Sequence, residues 1–274
     1  MFLLMNNRVA QLLTATLLTV AGSATSAQTV PTDLVQAEIL PGWRTRDGTQ
    51  IAALRLTLAP GWKTYWRAPG DAGIPPSFDW TGSDNLQSVA YHWPRPQVFD
   101  LNGMRMLAYP GGLILPIEFT PAKAGHTMRV TARVDIGVCE DVCVPASFTI
   151  SADLPAERQP DPVIAAALAD GPTDGHARGL EKPRCSVEPI RDGLRLTADI
   201  ALPEAADGDF AIIEPAADSI WVSPVKVQAE GGHLIQTSDL VPADAKPFVL
   251  DRSSLRMTLF TGSGDVIELI GCTG

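Results

Sequence analysis

Apolar residues recur along the first half of the chain in short runs, each closed by a turn signal. The runs are Val35–Ile39, Ile51–Leu58, Ser77–Trp80, Leu86–Trp93, Leu113–Phe119, Met128–Val138 and Phe148–Leu154. Pro-Gly, Asp-Gly, Pro-Pro and Gly-Gly pairs lie between them, and such pairs interrupt strands and set turns. Within Leu54-Arg55-Leu56-Thr57-Leu58 the alternation is strict, the period of a half-buried antiparallel strand. About seven short strands over roughly 125 residues is the pattern of an immunoglobulin-like sandwich.

The pattern changes at Pro155. Pro155, Pro160, Pro162, Pro172 and Pro183 bracket a single helical candidate, Val163–Ala169. A second strand-rich block follows: Leu194–Ile200, Phe210–Ile213, Ile220–Val227, Leu234–Gln236, Phe248–Leu250, Leu255–Phe260 and Val266–Ile270. The last two runs flank Thr261-Gly262-Ser263-Gly264-Asp265. A phosphate-cradling glycine loop would lead into a helix; here a strand follows, so the segment reads as a hairpin turn. The expected fold is all-β, with two immunoglobulin-like β-sandwich domains, 28–156 and 183–274, joined by a Pro-rich linker at 157–182 with a short helix.

Residues 1–27 carry one charge, Arg8, then an apolar segment from Val9 to Val20 and a small-residue stretch from Ala21 to Ala27. This is the layout of a secretory signal peptide. The segment is short of the roughly 20 apolar residues a membrane span needs, and Gln11, Thr14, Thr16 and Thr19 interrupt it. The mature chain, 28–274, is therefore expected to be soluble and exported. There are 31 acidic against 21 basic residues, for a net charge of −10. That balance argues against nucleic acid or an anionic membrane surface as a partner.

Export bears on the cysteines, since disulfides persist outside the cytosol. The four are Cys139, Cys143, Cys185 and Cys272, and four cysteines allow three connectivities. Pairing Cys139 with Cys143 and Cys185 with Cys272 keeps each bond within one expected domain. By the chain-entropy relation an 88-residue loop gives about 4.6 kcal/mol, whereas a five-residue loop gives only about 2 kcal/mol. Cys185–Cys272 is then the structural staple. Cys139 and Cys143, in Gly137-Val138-Cys139-Glu140-Asp141-Val142-Cys143-Val144-Pro145, form either a second structural disulfide or a reversible redox pair. On a continuous strand their Cα atoms would lie about 13 Å apart, against roughly 4.4–6.8 Å in a disulfide, so the chain must fold back between them. Asp135, Glu140 and Asp141 crowd the pair with negative charge, which raises thiol pKa values and predicts a moderately reducing couple.

Other constellations add less. The tryptophans at 43, 62, 66, 80, 93 and 221 read chiefly as core, with a rim around the cysteines as the alternative. His92, His126, His176 and His233 show no zinc-ligand spacing, and no cofactor is called for. Met104 and Met106 would suit Cu(I) if they met the cysteines, but two residues apart they also suit one strand face.

The cysteine segment resembles the redox segment of the N-terminal periplasmic domain of the thiol:disulfide interchange protein DsbD family, closest to its ScsB-like branch. Ala59-Pro60-Gly61-Trp62-Lys63-Thr64-Tyr65-Trp66 is similar to the family's Gly-aromatic-x-x-Tyr strand, and Leu113-Ile114-Leu115-Pro116-Ile117 to its Leu-x-Leu-Pro strand. The resemblance spans about 30–155. It implies a pair that relays electrons from a membrane-embedded thiol donor to periplasmic thioredoxin-like proteins, in processes such as cytochrome c maturation or copper tolerance. It implies that Cys143 forms the mixed disulfide and Cys139 resolves it, with Tyr65 beside the pair and an aromatic cap near Phe99. The sequence departs from the family in its shorter cysteine spacing. It also carries no multi-span region or thioredoxin-like domain, so the expectation is a standalone periplasmic form whose electron source is another protein. Protein-disulfide oxidoreductase activity is thus the favoured expectation. The alternatives are a non-catalytic binding or chaperone-like sandwich with two structural disulfides, and a Cu(I)-handling protein.

Overall fold

Helix accounts for one short segment and strands for most of the rest in the computed structural model, which describes residues 34–101, 103–154, 159–217, 219–246 and 248–274. The expected signal peptide lies outside the described residues. The N-terminal half contains β1 (Val35–Arg44), β2 (Gln50–Leu58), β3 (Lys63–Gly70), β4 (Ser77–Asp79), β5 (Leu86–Tyr91), β6 (Gln97–Leu101), β7 (Met104–Pro110), β8 (Gly112–Pro121), β9 (Met128–Cys139) and β10 (Cys143–Leu154). One sheet runs β1-β2-β8-β5 and the other β10-β9-β3-β7-β6, with β4 also pairing β9. Leu54, Leu56, Leu115, Ile117 and Phe119 of the first sheet meet Trp66, Leu107, Val130, Val134 and Val138 of the second. This is the expected all-β, immunoglobulin-like sandwich.

β2 is buried along nearly its whole length rather than alternately, and the segment after β10 explains why. Helix α1 (Pro162–Ala169) starts with Asp161 accepting from the backbone N–H groups of Val163 and Ile164, a capping arrangement that satisfies otherwise orphaned donors. Its Ile164 is fully buried against Ile51 and Ala53, with Leu40, Trp43 and Ile114 around them. One face of β2 thus packs on the opposite sheet and the other under the helix.

The C-terminal half contains β11 (Thr173–Asp174), β12 (Arg184–Ile190), β13 (Gly193–Ala201), β14 (Phe210–Glu214), β15 (Ile220–Val222), β16 (Lys226–Glu230), β17 (His233–Pro242), β18 (Arg256–Phe260) and β19 (Val266–Ile270). Its sheets run β11-β19-β18-β14 and β12-β13-β17-β15, with β16 also on β17. Leu196, Ile200, Leu234, Leu240, Met257, Leu259 and Leu269 fill the space between them. The Thr261–Asp265 segment is the β18–β19 hairpin turn, as its glycines predict.

Several elements differ from the sequence expectation. Ile220–Val227 breaks into two strands at Ser223-Pro224, since proline lacks the ladder N–H. Phe248–Leu250 is not a strand, and Val249 is 95% exposed; it has no sheet face to bury against. β6 and β12 have no run of apolar residues to announce them, and that of β7, Met106–Tyr109, is only four residues long. The segment expected as a linker is tied to both halves, with α1 on the first and β11 pairing in parallel with β19 of the second.

The halves also share apolar packing. Phe210, Phe260 and Val266 belong to the same buried cluster as Trp66 and Leu107, and Phe260 meets the Trp66 ring edge-on at 5.7 Å. Beside Trp66, Arg67 donates to both carboxylate oxygens of Glu214 at 2.8 and 3.0 Å and to Glu268 at 2.9 Å. The Arg105 guanidinium lies 3.7 Å above the Phe210 ring.

Candidate functional site

β9 and β10 pair antiparallel along their full length, and Cys139 opposite Cys143 is the last pair before the turn. Glu140, Asp141 and Val142 make that turn, so the fold-back demanded by the spacing is a hairpin. The register brings the two Cα atoms to 4.1 Å, and the sulfurs are joined. Pro145 is accommodated because β10 is an edge strand. The two cysteines differ sharply in access: Cys139 is 1% exposed, whereas Cys143 is exposed beside Val142, itself 70% exposed.

β3 brings the other side chains. It pairs with β9 through Lys63 opposite Cys139 and Thr64 opposite Val138, and alternation then separates its residues by face. Thr64 is buried and donates to the Gly137 carbonyl at 3.0 Å, fixing the two strands together. Lys63 and Tyr65 share the opposite face. The Tyr65 hydroxyl donates to Cys139 Sγ at 3.0 Å and lies 3.3 Å from Cys143 Sγ. Burial raises the Tyr65 pKa above the usual phenol value, which keeps the group protonated and able to donate. The Lys63 ammonium donates to the Glu140 carbonyl at 3.2 Å.

Gly61 opens the way into β3 with φ +86°, and a Cβ there would stand 2.6 Å from the Glu140 carboxylate. The carboxylate tip could swing aside, so it is the positive φ that calls for glycine here. Asp135, four residues before Cys139, accepts from the Ser147 hydroxyl and also bonds Arg133. Those contacts, Ser147 first, hold its carboxyl below the usual range.

The β6–β7 hairpin supplies the cover. Phe99 pairs with Met106, and Tyr65 with Ala108. Tyr65, Met106, Ala108 and Cys139 form a small buried cluster with Phe99 packed against it. The Lys63 ammonium lies 5.9 Å from the centre of the Phe99 ring.

The fold therefore gathers Cys139, Cys143, Tyr65, Phe99 and Met106. Met104 is set apart, 42% exposed on the hairpin. No tryptophan belongs to the cysteine cluster; Trp66 and Trp93 are core residues and Trp221 is 60% exposed. The aromatic neighbours of the cysteines are Tyr65 and Phe99 instead. His92 meets Glu118 and His233 meets Asp199, and among the described residues no group of three or more His, Cys, Asp or Glu side chains converges as a metal site. Sequence reasoning missed Lys63. The available signal was parity, since Lys63 and Tyr65 are two residues apart on a strand.

The second disulfide has a different setting. Cys185 is 4% exposed within the C-terminal core, and its Cα is 5.8 Å from that of Cys272. Chemically, the first site offers an exposed sulfur open to thiolate attack, a buried sulfur as leaving group and a hydroxyl donor beside the buried one. In-line attack on a disulfide needs that access.

Among solved structures, the crystal structure of the N-terminal periplasmic domain of ScsB from Proteus mirabilis resembles this chain with a TM-score of 0.59 and 23% identity, covering 90% of this chain and 97% of that one. At that identity the likeness is one of fold, and it extends across both halves. No curated protein sequence matches the chain. Residues 35–155 match the family model of the N-terminal domain of the thiol:disulfide interchange protein DsbD. The matched residues include the cysteine hairpin, β3 and the Phe99 hairpin, so the whole candidate site lies within the match.

Proposed function

We propose that this protein is a periplasmic protein-disulfide oxidoreductase that relays electron pairs through reversible opening of Cys139–Cys143. The observation that carries the reading is the contrast between the two joined sulfurs: Cys143 faces solvent, while Cys139 is buried under the Tyr65 hydroxyl. An incoming thiolate bonds to Cys143 Sγ, and the Cys139–Cys143 bond breaks with its electron pair leaving on Cys139. The donor's second thiolate then attacks its own sulfur in the mixed disulfide and releases Cys143, so the donor is oxidised and the pair reduced. In the delivering half-reaction Cys143 attacks an acceptor disulfide and Cys139 resolves the mixed species.

The donor on this reading is a membrane-embedded thiol protein, and the acceptors are periplasmic thioredoxin-like proteins. Among the described residues no helix is long and apolar enough to cross a membrane. Residues 28–156 act as the exchange module. Residues 183–274, reached through 157–182, brace it through Arg67 and the Trp66–Phe260 contact.

The test is quantitative thiol labelling of the native protein during treatment with dithiothreitol. Cys139 and Cys143 are expected to become labelled while Cys185 and Cys272 stay joined, and Cys139→Ala is expected to accumulate mixed disulfides through Cys143. Equal resistance of the two bonds would leave only the reading of a binding module with two structural disulfides.

A further inference from the structure

Lys63 stands opposite Cys139 across the β3–β9 ladder. Directly paired residues have Cβ atoms roughly 4.5–5.5 Å apart on a shared face, so the lysine stem begins beside the buried cysteine. Its ammonium is fastened to the turn through the Glu140 carbonyl at 3.2 Å and faces Phe99 at 5.9 Å. Among the described residues no carboxylate forms an ion pair with it.

The other charges nearby are either acidic or already engaged. Glu140 and Asp141 lie in the turn. Asp135 on β9 bonds Ser147 and Arg133. Asp71 accepts from the Arg105 backbone N–H at 2.8 Å, and the Arg105 guanidinium covers Phe210. Lys63 is thus the one of these cations that is held at the cysteine turn.

Resting on the exchange reading above, we infer that Lys63 is a positioning residue that stabilises the thiolate on Cys139 when the disulfide opens. The Tyr65 hydroxyl supplies a hydrogen bond to that sulfur, and Lys63 supplies a full positive charge against the surrounding acidic residues. The electron pair released from the Cys139–Cys143 bond stays on Cys139 until a proton from water neutralises it. In the reverse direction the same charge keeps Cys139 ionised for attack on Cys143 in the mixed disulfide. Anchoring through the Glu140 carbonyl matters because a free lysine would spend its time in solvent.

The test uses the chain from residue 28 onward, with cysteine 13Cβ labels, chemically reduced and titrated by NMR, alongside opening of the oxidised form by dithiothreitol. Lys63→Met is expected to raise the Cys139 titration midpoint by about half to one pH unit, a roughly three- to tenfold loss of thiolate below it. Opening should slow by a smaller factor, about 1.5- to threefold, because the rate follows the leaving thiol's pKa with a fractional slope. Lys63→Arg should stay within about twofold of the parent. Salt offers a second readout: about 1 M KCl should shrink the difference between the parent and Lys63→Met midpoints, since it screens the lysine's charge. An unchanged midpoint in Lys63→Met overturns the inference, as does Lys63→Arg behaving like Lys63→Met, or a parent-to-variant difference that about 1 M KCl leaves undiminished. Failure of the exchange reading looks different: the parent disulfide resists dithiothreitol, while titration of the reduced protein still reports on the lysine.

Discussion

The two disulfides of this protein close loops of very different length and sit in very different surroundings. Cys185–Cys272 spans 87 residues of sequence and lies at the edge of a core, whereas Cys139–Cys143 spans four and sits on a hairpin that the β9–β10 ladder already holds. A long-range crosslink removes much freedom from the unfolded chain, and a local one removes little. The difference shows how one bond type serves two purposes. The first pins chain segments together, and the second can open while the hydrogen-bonded strands keep its ends in place.

The largest expected effect is on stability. Replacing both Cys185 and Cys272 by serine should cost about 4.6 kcal/mol on the chain-entropy relation, read by urea unfolding; the Cys139→Ala/Cys143→Ala pair should cost no more than about 2 kcal/mol. Equal costs would erase the distinction. Next comes the brace between the halves. Arg67 is only 14% exposed and holds Glu214 and Glu268, so Arg67→Ala takes the cation from partly buried Glu214 and leaves Glu268 with Arg256 alone at 3.4 Å. A loss of about 2–3 kcal/mol is expected, read by the same urea unfolding.

Smaller still is Tyr65→Phe, which deletes the donor to Cys139 Sγ. Stability should change by about 1 kcal/mol or less, while opening by dithiothreitol slows severalfold and the Cys185–Cys272 bond is unaffected. The smallest effect is electrostatic. Asp135 has its pKa lowered chiefly by Ser147, and Asp239 in the other half chiefly by Arg195. A depressed carboxylate pKa gives stability that is present above the unfolded value near 3.9 and lost as pH falls through the folded one. Ser147→Ala should therefore flatten the acid side of the stability profile slightly, as measured by chemical denaturation between about pH 2 and 5.

Much of the fold was legible because its strands alternate or run apolar between strong turn signals. β2, β8, β9 and β19 fall where Ile51–Leu58, Leu113–Phe119, Met128–Val138 and Val266–Ile270 predict them. β6 and β7 escaped because Gln97–Leu101 mixes polar and apolar residues without a clean period and the apolar run of Met104–Pro110 is only four residues, Met106–Tyr109. Their stability comes from β3 and from Phe210 beneath Arg105, neither of which is local. The cysteines, Tyr65 and the neighbourhood of Phe99 were readable from their motifs. Lys63 was not, because a lysine near the start of a strand looks like any solvated residue until its cross-strand partner is known.

By itself the sequence determined the strand-rich character, the turn positions and the fold-back between Cys139 and Cys143, because these follow from period, turn chemistry and the reach of a disulfide. Only the tertiary structure decided that Cys139 is buried while Cys143 is exposed, and that Tyr65 and Lys63 flank the former. It also decided that Arg67 joins the two halves. Access and cross-strand neighbours depend on which strands pair and in what register, and those are contacts between segments distant along the chain.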